Sequence, residues 1–236
     1  MFQDILTVMK KELKEIFAIT FMPGHLLSTA VMILLFGFYI PYSMGDFFLR
    51  QTSTTLSMYI LLLPLVTCSG LVADSFAGER ERKTLESLLA TRIPDAAVYI
   101  GKILAVSIYS YFFVEVIVGA SIAGANIYIY KSGAGGDWFF YNALSSFALF
   151  VFIIPVILAG ATLGVFFSLK CPDLRTAYQF SRLGWVILSL PFITGLLTFE
   201  VSWDFFIPAF YALFAATALF AYLGTRLFRR SRLPVA

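Results

Sequence analysis

One histidine, His25, two cysteines, Cys68 and Cys171, and fourteen carboxylates are the stock that 236 residues offer for nucleophilic, acid–base or metal chemistry. No second titratable side chain stands beside His25 at a spacing that makes a triad, a dyad or a metal cluster, so it reads as an interfacial polar residue. Two cysteines make no disulfide framework. A phosphate loop needs a glycine-rich turn ahead of its lysine, and the pair Gly101 and Lys102 has none, so the chain alone is not expected to use ATP. No catalytic and no metal-ligating residue is assigned. The glycine-rich stretch from Gly133 to Gly136 reads as a flexible turn.

The elements around these residues are set by composition. The chain is 60% hydrophobic and 13% charged with a mean hydropathy of +0.87, against about 45–50% apolar and about 25% charged in a soluble domain. A soluble domain and a disordered chain are both excluded, and a net charge of +3 leaves nucleic-acid binding without an electrostatic basis. Apolar runs long enough to cross a ~30 Å hydrocarbon core fall at 26–42, 56–76, 97–130, 143–169, 183–199 and 205–227. The fold expected is therefore an all-α membrane protein with six transmembrane helices. The third and fourth runs exceed one straight crossing and should tilt, protrude or break, Pro155 offering a kink. Pro191 and Gly195 interrupt the fifth, which suits a partly re-entrant segment. Fifteen of the seventeen Lys and Arg residues fall on one side of this arrangement, leaving Arg50 and Lys131 on the other. The positive-inside rule then makes both termini cytoplasmic, and Tyr42, Tyr128, Tyr130, Trp138, Tyr141 and Trp203 mark the outer boundary.

Residues 1–22 carry Phe2, Ile5, Leu6, Met9, Leu13, Ile16 and Phe17 on one helical face, with Asp4, Lys10, Lys11, Lys14 and Glu15 elsewhere. Such a helix lies in the interface rather than across the bilayer. The six-span domain is then 23–228, followed by a short basic tail at 229–236. Between the second and third runs, residues 79–90 read as a short amphipathic helix with an apolar stripe at Leu85, Leu88, Leu89 and Ile93, stopped by Pro94. Its arginines are balanced by Glu79, Glu81 and Glu86, which suits a protein partner better than an anionic membrane. Asp74 lies within reach of those arginines and can pair with them. Within the third run Glu115 stands about 20 Å beyond Lys102 at 1.5 Å per residue, where an exposed charge costs on the order of 2.5 kcal/mol or more. It reads either as a substrate contact or proton-linked switch, or as a protonated or hydrogen-bonded packing residue. Gly160 with Gly164, and Ala120 with Gly124, are small-residue pairs for close helix packing, with a dimer seam as the alternative use. Thr67 and Ser69 are polar positions suited to a pathway lining.

The run G-E-R-E-R-K-T-L-E-S-L-L-A-T from Gly78, ahead of P-D-A-A-V-Y-I-G-K, resembles the cytoplasmic loop of type-2 ABC exporter permeases, roughly E-R-E-x-G-T-L-E-x-L-L-x-(S/T)-P and then G-K. Lys83 stands where that family often has Gly, and Arg92 and Ile93 lengthen the approach to Pro94. The resemblance implies a permease subunit that pairs with a second permease chain, as homodimer or heterodimer, and with two separate ATPase subunits that bind ATP and Mg. It further implies that segment 78–95 holds a coupling helix docking on the ATPase through Glu79, Arg80, Glu81, Thr84, Leu85, Glu86 and Leu88. A prokaryotic inner membrane is the location it suggests. Apart from Glu115 the pathway, with Thr67 and Ser69, is weakly polar, which favours a lipid-like or amphiphilic cargo. Two other classes keep their place: a membrane anchor that recruits an ATPase without transport, and a membrane-embedded enzyme using Glu115.

Overall fold

The computed structural model describes residues 1–50, 59–60, 62–82, 92–133, 138–171, 173–198 and 203–228. All regular structure among the described residues is helical. Helix α1 is Phe2–Thr20, α2 is Pro23–Met44, α3 is Asp46–Arg50, and α4 covers 63–81. They are followed by α5 at Asp95–Ser132, α6 at Ala143–Lys170, α7 at Leu174–Thr198 and α8 at Trp203–Leu227.

Four of these, α2, α5, α6 and α8, are long and apolar enough to cross a membrane. The six-span expectation is thus met in part. Its second run lies partly outside the described residues. Its fifth corresponds to α7, whose first turns carry Arg175, Gln179 and Arg182 and so dilute its apolarity. Helix α7 runs unbroken to Thr198, so the interruption expected from Pro191 and Gly195 is absent.

Helix α5 is the central post. It begins after Pro94, whose backbone is extended (φ −61, ψ 141), and stops at Gly133 in the left-handed region (φ 66) that glycine tolerates. Its 38 residues span about 57 Å, so it protrudes well beyond any bilayer core and no break is needed. Helix α1 packs along its first half and α2 along its second, while α4 and α6 take other faces. Helix α6 is the second hub, against α4, α7 and α8. Just ahead of Pro155, residues Phe147–Phe152 of α6 are π-helical. Proline lacks the N–H that would bond the carbonyl four residues back, and the looser register accommodates that loss without ending the helix.

Small residues let these helices approach. Gly160 lies beneath the Trp185 ring, Gly164 against Val72, Gly124 against the Phe38 carbonyl, and Ala120 opposite Gly37. All four therefore meet helices of their own chain. At the far end of α5 the Asn126 side chain donates to the Phe139 carbonyl (3.1 Å) and accepts from its N–H (2.8 Å), and Ser121 and Tyr141 share a hydrogen bond of 2.7 Å. The Asn126 bonds satisfy both backbone groups of Phe139, where the chain leaves regular structure. Helices α2 and α8 bury only 11% of their apolar windows within the chain, leaving broad faces for lipid or other chains.

Candidate functional site

Among the described residues, a cluster of charged side chains lies where α1, the end of α4, the start of α5 and the α6–α7 corner meet. Each element brings its residue there by periodicity. On α1 the buried positions are Val8, Glu12 and Ile16, one row at four-residue spacing with a carboxylate in its middle. On α5 Lys102 stands four residues after buried Val98 and four before buried Val106. Gly101 makes the meeting of α1 and α5 possible, since a Cβ there would lie 2.8 Å from that of Val8. Phe2, counted with the apolar face of α1, is 73% exposed.

The Lys102 ammonium is fully buried and donates to Glu12 Oε1 at 2.9 Å and Glu79 Oε1 at 2.8 Å. Lys11 stands outside this pair, 3.0 Å from Glu15, 3.4 Å from Glu12 and 3.9 Å from Glu79, so two cations face three carboxylates. The Phe76 ring lies under the Lys102 ammonium, 5.4 Å from ring centroid to nitrogen. Burial pushes the Glu79 carboxyl above the usual carboxylate range, against the pull of Lys102.

Glu79 is the first of four consecutive charged residues, and each is tied to a different place. The Arg80 guanidinium donates to the Cys171 carbonyl just beyond α6. Glu81 Oε1 accepts from the Leu174 N–H (2.6 Å), which satisfies one of the open donors at the start of α7. Arg82 Nη2 donates to both oxygens of Asp74 at 2.9 Å, and that hydrogen bond raises the arginine's pKa. The Asp74–Arg82 pair passes over Gly78, where a Cβ would be 2.9 Å from Arg82 Nη2. The pairing of Asp74 with a loop arginine anticipated from the sequence is thus present.

Residues Asp74–Gly78, immediately before this run, are π-helical, and the cause is visible. The Ser168 hydroxyl of α6 accepts from the Ala77 N–H (3.0 Å) and donates to the Ala73 carbonyl (3.1 Å). In an α-helix those two groups would bond each other. A side chain inserted into the ladder opens it by one residue, and the register of Glu79 to Arg82 depends on that insertion.

Of the residues singled out for an ATPase contact, Glu79 faces inward, Arg80 and Glu81 reach the α6–α7 corner, and Thr84, Leu85, Glu86 and Leu88 lie outside the described residues. Thr67 and Ser69 lie on α4, and their side chains are likewise outside the described set. Glu115 is half-buried on α5, on the face of Tyr111, whose hydroxyl donates to the Phe150 carbonyl in the π-helical part of α6 (3.3 Å). Its Oε1 is buried without a hydrogen-bond partner among the described residues. It is not part of the polar junction, and His25 stands exposed at the junction's edge. Glu12, Lys102 and Ser168 were not singled out from the sequence as a site. A carboxylate midway along the Val8–Ile16 row, and a lysine at the same spacing between Val98 and Val106, were the available signals.

A family model of ABC-2 family transporter proteins matches residues 8–172, well over half of the chain and the stretch that contains every member of the junction except α7. No curated protein matches the chain. The chain belongs to the ABC-2 family of transporter membrane proteins, multi-pass permease components that work with ABC ATPase partners in a bilayer.

Proposed function

We propose that the chain is the permease subunit of an ATP-driven exporter in a prokaryotic plasma membrane, with six spans, both termini cytoplasmic, and α1 lying in the cytoplasmic interface. It works as a dimer of permease chains bound to two ATPase subunits, which hold the ATP and Mg. The observation that carries this reading is the commitment of Glu79, Arg80, Glu81 and Arg82 to four different partners. A displacement of the adjoining 83–91 segment enters all of them at once: α1 and α5 through Glu79 and Lys102, the α6–α7 corner through Arg80 and Glu81, and α4 through Arg82. An ATPase seated on that segment, through Thr84, Leu85, Glu86 and Leu88, would thereby move the spans as it closes on nucleotide. The π turns in α2, α4 and α6 supply places where helices change register without unfolding. The cargo crosses at the interface of two permease chains, past Thr67, Ser69 and Glu115, and is amphiphilic.

The test separates docking from transmission. The chain is reconstituted in lipid with the ATPase encoded nearest to it, and ATP turnover is compared for the wild type, a Leu85→Ala/Leu88→Ala double variant and Lys102→Met. The double variant should lose the ATPase from the complex. Lys102→Met should retain it while losing permease-dependent turnover. An ATPase that binds without any change in turnover favours the anchor class instead, and no binding at all overturns the reading.

A further inference from the structure

Beside the junction, between α1, α2, α4, α5 and the start of α7, lies a cavity of about 460 Å³, within the roughly 300–1,000 Å³ of small-ligand sites. Its polarity is graded. Arg82, Asp74 and His25 line the end nearest the junction, and Met32, Leu71 and Phe113 line the other. Phe113 stands eleven residues beyond Lys102 on α5, about 16 Å along the helix, so the gradient runs along the bundle axis. Tyr109 and Phe113, both buried and both on α5, form the cavity's wall on that helix.

The polar end is rich in donors. Asp74 is its one carboxylate and is engaged by Arg82 Nη2 through both oxygens. The Arg82 side chain is 56% exposed, and its guanidinium carries further N–H donors on Nη1 and Nε. Thr29, Tyr178 and the His25 ring bring hydroxyl and imidazole groups to the same cavity. A ligand that fits must bring acceptors at one end and apolar atoms at the other, and an arginine favours a phosphate for that acceptor group.

We propose that this cavity seats the phosphate headgroup of one phospholipid from the cytoplasmic leaflet, held by Arg82 and the hydroxyls of the same cavity, with the acyl chains leaving past Met32 and Leu71 into the bilayer. This rests on the reading that the charge-rich end of the bundle is cytoplasmic. It goes beyond the cargo pathway, because Glu115 is not among the residues that line this cavity. A lipid bound there grips the residue that spans the π turn of α4, so its occupancy bears on the register of the coupling run.

The test counts lipid bound to the purified full chain by native mass spectrometry and needs no ATPase, so its failure leaves the permease reading standing. Dioleoyl phosphatidylglycerol and phosphatidylethanolamine are titrated against dioleoylglycerol, which has the same chains without phosphate, and against inorganic phosphate. One phospholipid per chain is expected, bound at least tenfold more tightly than dioleoylglycerol. Arg82→Gln should bring the two within threefold of each other. Thr29→Trp, which fills the seat from an accessible face and leaves the Asp74–Arg82 pair intact, should abolish the saturable lipid. Equal binding of dioleoylglycerol, competition by inorganic phosphate at the same concentration as lipid, or wild-type binding by Thr29→Trp each overturns the proposal.

Discussion

Replacing Lys102 by Met keeps the length and apolar stem of the side chain while removing its charge. The ammonium is fully buried and sits within 3 Å of two carboxylates that are only 10% and 11% exposed. Its loss leaves both anions facing each other with water largely excluded, and the cost of breaking a buried pair in this way is about 3–5 kcal/mol. Lys11 offers little relief: it is 47% exposed and 3.4–3.9 Å away, and an exposed ion contributes about 1 kcal/mol at most. At about 2–4 °C per kcal/mol for a chain of this size, the unfolding midpoint should fall by roughly 10 °C. The decisive comparison is with Glu12→Leu/Glu79→Leu/Lys102→Met. That variant removes all three charges, and apolar replacement of a buried ionic cluster is typically neutral or stabilising. The triple variant should therefore melt above the single one. Both are measured by tryptophan fluorescence during heating in the same lipid discs, since Trp185 is buried in the α6–α7 contact. A Lys102→Met protein within about 2 °C of wild type, or a triple variant less stable than the single, would refute the ion-cluster argument.

Glu79 gives a pH signature. Its carboxyl is raised by burial, so the folded state holds a proton that the unfolded chain releases at the ordinary carboxylate value. That contribution is complete below the unfolded pKa and is lost as pH rises through the folded one. Stability should therefore decline from acid towards neutral pH, and Glu79→Gln should flatten the decline; melting scans at several pH values check this, and parallel profiles would speak against it. Ser168→Ala removes the hydroxyl from the α4 ladder. The freed Ala73 carbonyl and Ala77 N–H can then bond each other, so stability should change by less than about 1 kcal/mol while permease-dependent ATP turnover drops, and unchanged turnover would separate the π turn from coupling. Gly160→Ala drives a methyl into the Trp185 ring and should cost about 1–3 kcal/mol, recovered in part by Trp185→Phe; a neutral Gly160→Ala melt would contradict the packing. Glu81→Ala leaves the Leu174 N–H without its side-chain acceptor, and amide exchange at the start of α7 should rise several-fold, the scale of a lost cap worth ~1 kcal/mol.

Much of the architecture is legible in one dimension because a bilayer imposes a length and a polarity on each element. The apolar runs at 97–130 and 143–169 became α5 and α6 with ends moved by two residues or fewer. The fifth run was harder to bound. Its helix starts at Leu174, since Asp173 caps it through the Thr176 N–H (3.1 Å) and the charged first turns continue the same helix below the apolar stretch. Pro191 did not end it. The motif at Gly78 was legible as a motif, because its residue types and order carry the resemblance. Its partners were not: Glu79 could be read as solvent-facing from the balance of charges around it, and it is buried.

Residue order alone determined that this chain is helical, apolar and asymmetric in charge, because hydropathy, periodicity and the distribution of lysine and arginine are properties of successive residues. Only the folded chain decided which charges are neutralised inside it. Glu12 and Glu79 meet Lys102 across 90 and 23 residues of sequence, and Ser168 reaches Ala77 across 91. Such pairings depend on the rotation and depth at which helices pack, set by contacts such as Gly101 on Val8 and Gly160 beneath Trp185. A local pattern specifies which face of a helix is apolar. It does not specify which other helix that face will meet, nor which charge will be waiting there.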